Sequence, residues 1–397
     1  MKTMNLRLRI VLFFIILVLG TTIALMTAET TGLALTDLSN VSVDTLTHTA
    51  DNSSLFATMD GAGIYRSNDA GYSWQMVSTG PSGQDVRALV IQPDNVMSLY
   101  ASTINEEGRS SLWHSNDGGK HWLKVPFELP VNGMDRHPVI NVLALDAAAA
   151  DVLYAGTEGQ GMYRVDLKTG QSELLGDEST ADLYVRDLDL GATERIYAVT
   201  TEGLFVVEGS TVEMLENLPD TPVSLAVDPT NPMRLYAGTV AYGAFVSNDG
   251  GRTWQDLNTG FGWQPGIMFR VPAIAIDKDK PQHLAVATAY SIGSHLLGDG
   301  IYESFNGGQH WVKIAENQDV VDQLVIQGGG VYAATTQGLV RYGNPLPAAS
   351  LTSSLHLQSL ANPTGIQLLI LTLTAGLAAW VLLGQFIGKS PQKQSPA

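Results

Sequence analysis

Cysteine is absent from all 397 residues. That excludes disulfides, thiolate metal sites and cysteine nucleophiles, so the fold must hold without covalent staples. Charge is scarce as well, at 15% of residues. Basic residues are the scarcer kind, 22 against 39 acidic ones, for a formal net charge of -17. Lys2, Arg7, Arg9, Lys389 and Lys393 lie at the two ends, and every acidic residue lies between them. A surface of that sign repels phosphate backbones, so nucleic acid is not an expected partner. Several catalytic signatures are missing too. There is no G-x-S-x-G elbow for a serine nucleophile, and the eight His show no H-E-x-x-H spacing. Residues 384–390 resemble a phosphate-binding loop but are one residue short and close an apolar run. No catalytic residue, metal or cofactor is expected.

What is present begins with two apolar segments. Residues 10–26 follow Lys2, Arg7 and Arg9, so 1–28 is expected to be a signal anchor or signal peptide, with Met26 where cleavage wants a small residue. Residues 366–387 carry no charge and would span about 33 Å as a helix, enough for a bilayer core. Lys389 and Lys393 follow, which sets that end in the cytoplasm. The expected layout is a C-terminal transmembrane helix over 364–388, a flexible linker over 344–363 and a cytoplasmic tail over 389–397. The body over 32–343 would then lie outside the cytoplasmic (inner) membrane. Both termini are cytoplasmic where the N-terminal helix is retained.

The body repeats itself. GIYRSNDAGYSWQMV (63–77), SLWHSNDGGKHWLKV (111–125), GAFVSNDGGRTWQDL (243–257) and GIYESFNGGQHWVKI (300–314) share the pattern S-x-[DN]-x-G-x-x-W. The acidic or amide side chain suits a tight turn, Gly supplies φ > 0, and Trp brings a large apolar surface. The four sets are Ser67, Asp69, Gly71, Trp74; Ser115, Asp117, Gly119, Trp122; Ser247, Asp249, Gly251, Trp254; and Ser304, Asn306, Gly308, Trp311. They lack the alternating acidic ligands of a Ca²⁺ loop, so they are expected to be scaffold.

These turns resemble the Asp-box (BNR) repeats of β-propellers, which include sialidases, xyloglucan-type glycosidases, the luminal domain of sortilin and the photosystem II stability/assembly factor family. The resemblance implies an all-β, seven-bladed β-propeller. Seven units of four short strands can be read, with first strands centred on Leu46, Leu89, Leu143, Leu188, Leu225, Ile274 and Leu324. Units three and four keep the strands and lose the box. Unit seven stops after three strands, and residues 32–38 form a strand with no home in their own unit. That strand is expected to complete blade seven and so remove an open edge.

Antiparallel meanders alternate their connections between two faces. The boxes and tight turns fall on one face, and the long insertions at 103–110, 126–138, 259–269 and 290–299 fall on the other. Binding residues concentrate on long loops, so that face is the expected working face. Aligning the first strands puts Asp44, Arg87, Asn141, Arg186, Val223, Pro272 and Asp322 at one level around the axis. Two readings stand for this ring: structural ion pairs such as Asp44 with Arg87, or a site for an anion or carboxylate.

Phe269-Arg270-Val271-Pro272 resembles the sialidase F-R-I-P motif, whose Arg binds a carboxylate. It opens blade six here, whereas the family has it before the first box. The projecting loop with Phe261, Trp263 and Phe269 is an interface candidate that can equally fold over its own blade. The expected function is a non-enzymatic scaffold, subunit or assembly factor of a membrane protein complex, with an envelope protein as partner. The alternative is a glycan-binding or glycoside-hydrolysing protein, which needs two carboxylates across a scissile bond.

Overall fold

A computed structural model describes residues 33–343, apart from 40, 60, 131–136, 147–148, 191–194, 264–266, 293–294 and 317–318. The apolar segments 10–26 and 366–387 lie outside the described residues. Among those described, no helix is long and apolar enough to cross a membrane.

Seven four-stranded antiparallel sheets form the blades of a β-propeller. The inner strands are Val43–His48, Val86–Gln92, Ile140–Leu145, Val185–Leu190, Pro222–Asp228, Met268–Ile276 and Val321–Gln327. Each begins at the long-loop face. The strand Leu33–Ser39 pairs antiparallel with Gly338–Gly343, Leu33 opposite Arg341, as the outermost strand of blade seven. Blade seven is thus built from both ends of the described chain, and the ring has no open edge there.

Packing explains the recurring L-Y-A-G motif. Second strands are covered on both faces by neighbouring blades, and Ala57, Ala101, Ala155, Ala198, Ala237 and Ala333 are fully buried there. Blades converge toward the axis, where little more than a methyl group fits, and diverge outward, where rings fill the wedge. Tyr236, Phe269, Tyr302 and Trp311 fill that wedge between blades five and six. At Gly238 even a methyl is too large, because a Cβ would meet the Val271 carbonyl oxygen at 2.2 Å.

The four box turns share one hydrogen-bond pattern. The Ser hydroxyl donates to the Asp or Asn side chain at 2.8–2.9 Å and accepts the N–H of the Gly three residues before Trp at 2.7–2.9 Å. The Asp or Asn oxygen also accepts the N–H of the residue before Trp, at 2.9–3.1 Å. Every acceptor of the short side chain is used within its own turn. Among the described residues no His/Asp/Glu cluster is arranged to hold a metal ion.

The long insertion at 290–299 turns out to be largely strand rather than loop. Leu284–Ile292 and His295–Ser304 pair without interruption from Leu284 opposite Ser304 to Ile292 opposite His295, apart from one bulge at Thr288/Ala289. The apolar, β-branched and aromatic content of that stretch favours a projecting hairpin.

Candidate functional site: the channel mouth on the long-loop face

Each inner strand carries a register irregularity at the same level. It falls between Val43 and Thr45, Val86 and Ala88, Ile140 and Val142, Val185 and Asp187, Pro222 and Ser224, Arg270 and Ala273, and Val321 and Gln323. The extra residues are Asp44, Arg87, Asn141, Arg186, Val223, Val271 with Pro272, and Asp322. A bulged residue is freed from the ladder and re-aimed, and proline is suited to the position because it has no N–H to pair.

All seven residues of the aligned ring line one cavity of about 700 Å³. Arg270 joins them, with Asp85, Ile104 and Tyr184. Residues from the starts of the inner strands make up most of this lining, so the cavity opens at the long-loop face. A deeper cavity of about 350 Å³ continues down the channel past Thr45, Ala88, Val142, Asp187, Ser224 and Ala273.

Asp44 and Arg87 form no ion pair with each other. Among the described residues, no carboxylate lies within ion-pair distance of the Arg87, Arg186 or Arg270 guanidinium. Arg186 lies over the Tyr184 ring at 5.9 Å, and the Nε of Arg270 is buried without a hydrogen-bond partner. Burial and then the charge of Arg186 lower the Arg270 pKa, while Asp322 acts in the opposite sense. Asp322 is itself raised by burial and held down by Arg270. The mouth therefore holds three guanidiniums, of which Arg186 and Arg270 repel each other, together with the carboxylates Asp44, Asp85 and Asp322, in a chain with few basic residues.

Other channel residues are committed to joining blades. Asn141 donates to the Val185 carbonyl at 3.0 Å, Ser224 to that of Val271 at 2.8 Å, and Gln323 accepts the Leu46 N–H at 2.6 Å. Asp189 accepts the Val227 N–H at 2.8 Å. Burial raises Asp187 to about 6. Burial, and then repulsion from Asp187, raises Asp189 to about 7. Neither acid was picked out from the sequence. The signal was available in Val185-Arg186-Asp187-Leu188-Asp189-Leu190: the acids alternate with the leucines that pack in the core, so both acids share the other face of the strand once the bulge is allowed for.

The aromatic loop takes its second option and folds over its own blades. Phe269 is fully buried. Phe261 stacks on Trp311 at 5.3 Å and meets Tyr302 edge-on at 5.1 Å. Trp263 donates its indole N–H to the Ile267 carbonyl at 2.8 Å, and the Tyr290 hydroxyl donates to the Gly262 carbonyl at 3.2 Å. Phe261 and Phe269 are therefore packing residues. Tyr242 at 53% and Met268 at 47% exposure present the apolar surface on this rim instead.

No protein-family model matches the chain, and no curated relative does. Solved structures do resemble it. The GH74 xyloglucanase from Xanthomonas campestris aligns with a TM-score of 0.60 at 18% identity, covering 80% of this chain and 54% of that one. A YCF48 bound to a D1 peptide aligns with a TM-score of 0.56 at 15% identity, covering 80% and 96%. YCF48 from Cyanidioschyzon merolae gives 0.54 at 13% identity, covering 77% and 96%. This chain thus spans about half the length of the GH74 enzyme it matches. At these identities the likeness shows the fold: an all-β, seven-bladed propeller shared with GH74 and YCF48 proteins.

Proposed function

We propose that this chain is a membrane-anchored, extracytoplasmic Asp-box propeller that binds protein as a subunit or assembly factor of a membrane complex. The anchors are the apolar segments 10–26 and 366–387, read from sequence. The observation that carries the binding role is the mouth: Arg87, Arg186 and Arg270 face one cavity with no ion-pair partner among the described residues. Guanidiniums present a planar fork of donors suited to carboxylates. The group they take is a carboxylate of the partner. The exposed Tyr242 and Met268 lie beside Arg270 and supply apolar contact. A YCF48 structure holds a D1 peptide, which supports a protein ligand on this fold.

Both ends of the described chain lie on the box face, at Leu33 and Gly343 of paired neighbouring strands. Tethers leaving there would point the mouth away from the membrane. The test is purification of the full-length protein from its native membranes in mild detergent, with mass spectrometry of co-migrating proteins. A stoichiometric partner set, lost in Arg87→Ala/Arg186→Ala, supports the reading. A solitary protein sinks it.

The glycan reading keeps one supporting observation, since Asp44, Asp85 and Asp322 line the same cavity and GH74 enzymes share the fold. It requires that oligosaccharides bind or are cleaved, and that Asp44→Asn or Asp322→Asn abolishes this.

A further inference from the structure

We propose that protonation of Asp187 and Asp189 switches the anion affinity of the channel mouth, which binds a carboxylate more tightly as the surroundings acidify. This rests on the carboxylate reading of the mouth given above.

The geometry is a charge ladder on one strand. Arg186 lines the mouth, and Asp187 and Asp189 follow it one and three residues deeper, about 3 and 10 Å along the strand. Asp187 lines the deeper cavity, whose wall mixes Ala88, Val142 and Ala273 with Arg87, Asn141, Ser224 and Asp322. Asp189 sits further along the same strand with its carboxylate on the Val227 N–H. When ionised, each carboxylate opposes an anion held at the Arg level, Asp187 from the shorter distance and Asp189 from the longer. Gain or loss of two protons changes the charge beneath the site by two.

Other groups facing these acids do not reproduce the effect. Arg186 on the same strand, Arg87 on blade two and Arg270 on blade six stay charged throughout. Asn141 on blade three, Ser224 on blade five and Gln323 on blade seven do not titrate. His48 on blade one is held near about 4, by burial first and Lys278 second, so it is neutral across the range. Lys278 on blade six is lowered by burial and partly restored by Asp189. Asp44 on blade one, Asp85 at the start of blade two and Asp322 on blade seven are the remaining carboxylates, and they share the mouth with the arginines. Burial places Asp187 and Asp189 at about 6 and about 7, inside the interval between pH 5 and 8.

Asparagine separates charge from structure at these positions. Its amide oxygen can still accept the Val227 N–H that Asp189 holds at 2.8 Å, so the junction between blades four and five is retained. The experiment uses the full-length protein in detergent and trifluoroacetate as probe, read by fluorine NMR line broadening. That carboxylate stays ionised from pH 5 to 8, so its own titration does not enter. Wild type is expected to bind it roughly ten-fold more tightly at pH 5 than at pH 8. Asp187→Asn/Asp189→Asn is expected to show the tight affinity at both pH values, with an unchanged far-ultraviolet spectrum.

A pH dependence that persists in the double variant, or that disappears instead in Asp44→Asn or Asp322→Asn, overturns the switch. So does a wild-type affinity equal at both pH values. Absence of probe binding at either pH, or binding indifferent to Arg87→Ala/Arg186→Ala, overturns the carboxylate site itself and the switch with it.

Discussion

The channel mouth and the turn region of blade six spend their charges in opposite ways. In blade six, His283 is buried between Asp277 at 3.2 Å and Glu303 at 3.0 Å, and Lys313 bridges Asp299 at 2.9 Å and Glu316 at 3.0 Å. Every one of those charges has a partner, and the Phe305 ring stacks on His283 at 4.5 Å. At the mouth, three guanidiniums line one cavity with no ion-pair partner among the described residues, although Asp44, Asp85 and Asp322 line it too. Paired charges around a buried histidine serve the fold. Guanidiniums left without an ion-pair partner at the lip of a cavity, with Arg186 and Arg270 repelling each other, are the stronger candidate for binding.

Breaking the paired region gives the largest expected effect. Glu303→Ala leaves His283 with one partner in a buried setting and should lower unfolding free energy by about 2–3 kcal/mol, measured by denaturant titration. Partner binding at the mouth should be unaffected. An equal loss from Arg87→Ala/Arg186→Ala would erase the contrast between the regions.

That double substitution is expected to weaken carboxylate or partner binding at least ten-fold, worth about 1.4 kcal/mol. It should shift stability by no more than about 0.5 kcal/mol, because the side chains it removes have no ion-pair partner. Isothermal titration and thermal melting on the same samples separate the two quantities.

Stability against pH sharpens the comparison further, because both regions contribute with the same sign. The His283 pKa is raised above 6.5 on balance: burial lowers it, but the hydrogen bonds its ring donates to Glu303 and Asp277 outweigh that. Its contribution is present below the ordinary value and is lost as pH rises through the raised one. Asp187 and Asp189 are also raised, to about 6 and about 7. The folded protein therefore holds those protons more tightly than the unfolded chain, and stability falls as pH rises from about 4 to about 7. The midpoint of melting should decline between pH 5 and 8, more shallowly in Asp187→Asn/Asp189→Asn.

The smallest effect tests the scaffold common to both regions. Ala70 holds φ 54° where the other boxes have Gly118, Gly250 and Gly307 at φ 69–74°. Ala70→Gly relieves a left-handed residue and should raise stability by about 0.5 kcal/mol, net of the added freedom of the unfolded chain. A loss of stability there would mean that the methyl group packs usefully against its surroundings.

The sequence by itself determined the repeats, the box turns, the seven inner strands and the completion of blade seven by residues near Leu33. Those follow from local rules: short-range hydrogen bonding by Ser and Asp, glycine at positive φ, and the two-residue period of strands. It also placed Asp44, Arg87, Arg186 and Asp322 at one level, because a repeated fold turns sequence offset into spatial position. Tertiary structure decided the rest. Bulges in the inner strands aim those residues into one cavity and shift the phase, so Asp187 lines the channel and Asp189 reaches the Val227 N–H of the neighbouring inner strand. Packing between blades drew Phe261 and Phe269 inward, since an aromatic ring gains more from Trp311 and Tyr302 than from water. Whether a charge is paired depends on which side chains a closed ring brings together, and no offset within a single repeat records that.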